Sequence, residues 1–186
     1  MKRCSWVQNA KPHMIKYHDE EWGRPVQDDR LLFEMLILEG AQAGLSWDTV
    51  LKKREAYKTA FKDFDIEACA RLRESYLEKQ MLNPGIIRNR LKIHSIPINA
   101  KGVLALKKDF GSFSAYIWSF TQGKVIKGHY KSSSEYPTRT ELSDKISLDL
   151  KKRGFKFVGT TIIYAYLQAI GVVNDHCLGC AFRKPK

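Results

Sequence analysis

Apolar positions recur at helical spacing along most of the chain. The strongest segment is "LLFEMLIL", Leu31 to Leu38, where only Glu34 interrupts the apolar residues. With Asp28 or Asp29 as a cap, it predicts a helix through "RLLFEMLILE", apolar on nearly every side and therefore buried. Gly40 and Gly44 break or close it. Ser46 can cap a second helix, "WDTVLKKREAYKTAF", with Val50, Leu51, Tyr57 and Phe61 on its inner stripe and Lys52, Lys53 and Arg54 outside.

Downstream, "DIEACARLR" and "SYLEKQM" read as short helices after Asp65 and Ser75, and Pro84-Gly85 turns the chain into "IIRNRLKIHSI". A separate helix, "IPINAKGVLALKKDF", stops at Gly111, and "SFSAYIWSF" adds a short amphipathic one. Thr121 to Thr138 is polar, with glycine and serine, and reads as a loop. Thr140 or Ser143 opens "ELSDKISLDLKKR", which ends at Gly154, and "TIIYAYLQAI" is a last helix closed by Gly171. No β-alternation lasts more than a few residues, so the predicted class is all-α.

Composition adds one unusual feature. A chain of 186 residues with 44% hydrophobic and 28% charged residues is an ordinary globular domain, long enough for a real core. Its charge is not ordinary: 32 Lys and Arg against 20 Asp and Glu give a net charge of +12. Such an excess suits a polyanionic partner, nucleic acid first and an anionic membrane surface second. No apolar run approaches the ~20 residues that span a bilayer, and "MKRCSWVQNAKPH" lacks the apolar core of a signal peptide. The expected compartment is the cytoplasm, where four cysteines serve as metal ligands or buried thiols rather than disulfides.

The chain ends carry candidate metal chemistry. Cys4 and His18 lie near the start, and "NDHCLGC" places His176, Cys177 and Cys180 near the end. His176 and Cys180 are spaced to point the same way from a helix or tight turn, and two imidazoles with two thiolates suit tetrahedral zinc. On spacing alone, Cys177 and Cys180 could also form a redox pair, or the cysteines could be free thiols. His13, His94 and His129 have no ligand-spaced partner and read as solvated or core histidines.

"LKKRGFKFVGTTIIYAY", Leu150 to Tyr166, joins a helix ending in cations to a threonine-capped helix through a turn between two glycines. Lys151, Lys152, Arg153 and Lys156 supply attraction to a phosphate chain, and the amides around Gly159 can hold an anion. The segment looks like a helix-hairpin-helix. Arg88 and Arg90 form a second, weaker basic cluster.

The first 47 residues concentrate Trp6, Tyr17, Trp22 and Trp47. Flat aromatic walls with one acid suit an extruded, electron-poor base. Glu39 is the acid that stands out. It lies at the carboxyl end of its helix, against the macrodipole and among apolar neighbours, with no Lys or Arg in the stretch "LEGAQAGLSW". Either a distant cation or a ligand must pair with it.

Taken together, "RCSW", "YHDEEWG", "LEGAQAGLSW", "LKKR", "NPGIIRNR", "WSF", "LKKRGFKFVGTT" and "VNDHCLGC" resemble, in order and over essentially the whole chain, the bacterial type I 3-methyladenine DNA glycosylases of base-excision repair. The resemblance implies an all-helical fold of the helix-hairpin-helix glycosylase superfamily with one structural zinc, held by Cys4, His18, His176 and Cys180, leaving Cys177 a bystander. It implies a single domain of two lobes. The zinc-bearing lobe takes roughly residues 1–30 and 165–186, and the central lobe carries the hairpin near 143–170.

It also implies that Glu39 and Tyr17 bind the excised base, that Trp47 stacks on it, and that Trp6 and Trp22 belong to the pocket. Gly44 and Leu45 fall in the loop that enters the duplex. Met14 stands where some relatives place a tyrosine. Many superfamily members carry a catalytic aspartate after the hairpin; here the nearest is Asp175, beside a metal candidate, and it is not given that role.

The implied activity is hydrolysis of the N-glycosidic bond of 3-methyladenine in double-stranded DNA by a monomer, without a lyase step. The rivals from other classes are a non-catalytic zinc-stabilised DNA-binding module and a redox protein using Cys177 and Cys180.

Overall fold

The computed structural model describes residues 1–184. Among them are ten α-helices, and a single pair of two-residue strands adds to the expected all-α class. The strands, β1 (Ile126–Lys127) and β2 (Val173–Asn174), pair in parallel and tie the polar stretch 121–138 to the C-terminal segment. Two residues of long-range pairing leave no alternation to read in a sequence.

The helix predicted from "RLLFEMLILE" is α2 (Asp29–Gln42), with Leu32 to Ala41 all buried. Asp28 is the cap: its carboxylate accepts the Leu31 N–H at 2.8 Å. The buried Glu34 is neutralised by Arg54, whose Nε lies 2.5 Å from Oε1 and whose other arm reaches Glu21 at 2.6 Å. Arg54 therefore faces inward, not outward as the stripe predicted. The cause is a break in the expected long helix, which divides into α3 (Trp47–Leu51) and α4 (Arg54–Ala60) with Lys52 and Lys53 at the bend.

Before α2 stands α1 (Pro12–Glu20), and after α4 come α5 (Ile66–Ala70), capped by Asp65, and α6 (Glu74–Gln80), which starts one residue ahead of Ser75. The stretch "IIRNRLKIHSI" and the helix expected from "IPINAKGVLALKKDF" form one helix, α7 (Arg90–Phe110), with Pro97 inside it. A proline inside a helix costs about 3 kcal/mol. Burial of Ile93, Ile96, Ala100, Val103 and Leu106 on the same helix, which packs against α5 and α8 (Phe113–Ser119), offsets it.

The last helices, α9 (Glu141–Lys152) and α10 (Thr160–Ala169), pack on each other, and α10 also packs on α2. Thr140 caps α9 and Ser143 returns the bond, completing a capping box. The turn between them is held from outside. Asn99 of α7 accepts the Lys156 N–H at 2.8 Å and donates to the Lys156 carbonyl at 3.0 Å. Phe155 fills the space beside Gly102, where a Cβ would lie 2.5 Å from its ring. Among the described residues, no helix is long and apolar enough to cross a membrane.

Candidate active site

A cavity of about 230 Å³ opens between α1, α2, α3 and α10. Its walls bring together Trp6, Met14, Tyr17, Trp22, Glu39 and Trp47 with residues far along the chain, among them Tyr136 and Gln168. Trp6 and Trp22 meet edge to face at 5.2 Å, and Tyr17 leans on Trp47 at 5.2 Å. The indole N–H groups of Trp6 and Trp47 are buried without a protein partner. Buried donors left unpaired are costly, and a polar ligand in the cavity is what would pair them.

Glu39 is 4% exposed, and none of the described cations pairs with it. Burial alone raises its pKa from 4.5 to about 8. Beside it, the Tyr17 hydroxyl is pushed well above its ordinary value, first by burial and then by Glu39. The same carboxylate also borders a second cavity of about 190 Å³, lined by Gly44, Leu45, Thr161 and Ile162. Glu39, Gln42 and Ala165 are common to both cavities. The acid thus stands where an aromatic-walled cleft meets a groove bordered by Gly44 and Leu45.

Gly44 and Leu45 form the rim of that groove. Gly44 has φ +76°, which glycine adopts without strain, and Leu45 is left 41% exposed. Ser46 then accepts the Thr49 N–H at 3.2 Å and starts α3, which delivers Trp47. Across the groove is the hairpin between α9 and α10. Gly154 and Phe157 both have positive φ there, and Phe157 packs so closely on Gly40 that a Cβ would lie 3.1 Å away. Lys151, Lys152 and Lys156 are exposed. Arg153, expected with them to meet phosphate, is held by Asp149 at 2.8 Å and Asp109 at 3.2 Å.

Behind the aromatic wall, Cys4, His18 and Cys180 are buried, and their ligand atoms lie within 4.8 Å of one another. Cys180 Sγ is 3.7 Å from His18 Nε2, close to the ~3.5–3.8 Å between ligands on a tetrahedral zinc. Asp19 contacts the other His18 nitrogen at 2.8 Å and orients the ring, as second-shell carboxylates do. His176 stands beside the group, its ring 4.7 Å from that of His18, with Nε2 against the His18 carbonyl and Nδ1 against Asn174. Two thiols and an imidazole, with a second imidazole alongside, fit a structural metal. Cys177 is not in that group; its N–H donates to Cys4 Sγ at 3.2 Å and its sulfur lies 3.1 Å from the Tyr136 hydroxyl.

The family model for methyladenine glycosylase matches residues 6–184. This chain belongs to the methyladenine glycosylase family. It is 49% identical to the DNA-3-methyladenine glycosylase 1 of Escherichia coli (strain K12) over 97% of this chain and 96% of that protein. It is 47% identical to the DNA-3-methyladenine glycosylase of Haemophilus influenzae (strain ATCC 51907 / DSM 11121 / KW20 / Rd) over 96% of both. A variant of 3-methyladenine DNA glycosylase I, crystallised in complex with 3-methyladenine, matches the fold with TM-score 0.95 and 37% identity, over 100% of this chain and 99% of the other.

In this methyladenine glycosylase, five cavity residues are not among those the sequence pointed to: Gln42, Ser133, Tyr136, Ala165 and Gln168. Gln168 carried a usable signal, an amide on the otherwise apolar "TIIYAYLQAI", parallel to Glu39 on α2. Its Nε2 donates to Asp175 at 2.7 Å, which fixes the amide's orientation at the cavity wall. Asp175 is buried behind it, also bonded to Tyr164, and belongs to this support. Tyr136 comes from the stretch read as a loop, where one aromatic among serines was a weak sign. His13 pairs with Asp48, His94 with Glu74 and Glu78, and His129 is exposed. His94 thus has acidic neighbours that its spacing did not reveal, and Arg90 also pairs with both.

Proposed function

We propose that this methyladenine glycosylase hydrolyses the N-glycosidic bond of 3-methyladenine in alkylated double-stranded DNA. The observation that carries this reading is Glu39, a buried carboxylate with no cation paired to it among the described residues, facing an aromatic chamber. Methylation at N3 makes the base cationic, so it departs as a neutral purine and needs no strong general acid. The enzyme must extract the base, hold it, and let water reach the sugar.

Each wall residue then has a task. Glu39 supplies negative charge and accepts hydrogen bonds from the adenine edge, favouring the cationic lesion. Tyr17 orients that edge, and Trp47 covers the face. Trp6 and Trp22 close the chamber, with Met14 supplying a softer wall. A cation over indole gains about 0.5–2 kcal/mol. Gly44 and Leu45 probe the duplex at the groove, while Lys151, Lys152, Lys156 and the amides around Gly159 grip the backbone. Arg153, also exposed, ties the hairpin to Asp149 and Asp109.

Cys4, His18 and Cys180 would hold a zinc ion, with His176 as fourth ligand. A zinc closed by four protein ligands cross-links and performs no chemistry on substrate. It would make one lobe of residues 1–30 and 165–184; residues 185–186, also assigned to that lobe, lie outside the described residues. All four cysteines are buried and free of disulfides, which suits a reducing cytoplasm. One chain carries the whole site, so the reading is of a monomer. Among the described residues no lysine lines either cavity, which supports a monofunctional hydrolase.

Incubation with duplex DNA treated with a methylating agent tests the proposal. Free 3-methyladenine is released and the strand stays intact until the abasic site is cleaved chemically. Binding without base release would assign a non-catalytic DNA-binding module instead.

A further inference from the structure

The junction between Glu39 and the exposed loop is held by a buried cation. The last carbonyls of a helix lack intrahelical donors, and α2 ends at Gln42 on a cap residue, Ala43, with φ −46° and ψ 116°. Lys92 of α7 answers both open carbonyls. Its Nζ donates to Ala41 O at 2.8 Å and to Ala43 O at 2.6 Å. Lys92 is only 9% exposed, and no carboxylate among the described residues forms an ion pair with it. A lysine buried without a counter-charge is costly. Here the carbonyl end of the helix dipole takes the place of the carboxylate.

The other end of the side chain is equally fixed. The Lys92 backbone N–H donates to the capping Asn89 at 3.1 Å, at the start of a long buried helix. The two carbonyls it holds flank Gln42, which lines both cavities. The next residue after Ala43 is Gly44, whose positive φ turns the chain out to Leu45. Lys92 itself lines neither cavity, so it cannot touch a base lodged there.

We propose that Lys92 is a positioning residue for excision, whose ammonium sets the conformation of the segment joining Glu39 to Gly44 and Leu45. The role rests on the duplex-probing function proposed above for that loop. Lys92 holds the loop in the shape that enters DNA, and the chamber for the free base does not depend on it.

The test compares Lys92→Met, Lys92→Arg, Leu45→Ala and the double variant Lys92→Met/Leu45→Ala. Each is measured for single-turnover excision from a duplex with one 3-methyladenine and for affinity toward free 3-methyladenine. Lys92→Met lowers excision at least tenfold and leaves free-base affinity within twofold, which also shows that the chamber is folded. Lys92→Arg, which keeps donors for both carbonyls, recovers most of the rate. If Lys92 acts through the loop, the double variant is no slower than the slower single one. A wild-type rate in Lys92→Met, an additive double variant, or an equal fall in free-base affinity overturns the role of Lys92. A wild-type rate in Leu45→Ala overturns the loop reading itself, and this role with it.

Discussion

Glu34 and Glu39 are buried on the same helix, and of the two Glu34 alone has a cation, the Arg54 guanidinium at 2.5 Å. Glu34 is a structural charge, neutralised on folding. Glu39 has been taken out of water with no charge partner among the described residues, and burial raises its pKa to about 8. A stability cost at one position of an otherwise well-paired helix is what a binding site demands.

That cost is measurable. The folded chain keeps the Glu39 proton up to about pH 8, whereas an unfolded chain releases it near its ordinary value of 4.5. Between those values the folded state binds more protons, so this group's contribution to stability falls as pH rises, the reverse of the usual carboxylate. Replacing Glu39 by Gln removes the penalty. Denaturant unfolding of Glu39→Gln should show a gain of about 1–3 kcal/mol at pH 7, shrinking toward zero near pH 4.5. Loss of stability at pH 7 would mean that Glu39 has an internal partner.

The same pKa predicts the activity profile. A cationic base requires the carboxylate form, which the empty site holds mainly above pH 8. The kcat/KM for excision should rise with pH through about 8 and level off above it, and Glu39→Gln should flatten the profile.

The phosphate contacts proposed for the hairpin divide along it. Lys151, Lys152 and Lys156 are exposed, while Arg153 is bonded to Asp149 and Asp109. Each lysine replaced by Ala should weaken binding to undamaged duplex and reduce the salt slope by about 1. Arg153→Ala should instead lower Tm and leave the salt slope unchanged, read from binding titrations at several salt concentrations.

Metal analysis of the purified protein should find one zinc per chain, lost in Cys4→Ser. Chelation should lower Tm, and excision should fall only in step with unfolding, since no reacting atom meets the ion.

Much of this was legible in the sequence because it rests on local rules. Asp28, Ser46 and Thr140 cap the helices their spacing suggested, and Glu39 stood out as a charge in an apolar run. What the sequence concealed depends on distant packing. Arg54 lies in a cationic run that reads as a solvated face, and only the bend after Leu51 turns it toward Glu34. "IIRNRLKIHSI" and "IPINAKGVLALKKDF" read as separate stretches, but the buried face of α7 runs through both. Lys92 looks like any surface lysine until two carbonyls from α2 are placed around it. The cavity itself is assembled from α1, α2, α3 and α10, and its Tyr136 wall arrives through a strand pair of two residues.

The central claim is that Glu39 is an unpaired acid kept for a cationic purine, and one rate tests it most directly. Single-turnover excision of 3-methyladenine from a duplex with one lesion should be about a hundredfold slower in Glu39→Gln than in the wild type, as for loss of a preorganised charge partner, with the fold and the metal content intact. Excision at the wild-type rate by that variant would contradict the account.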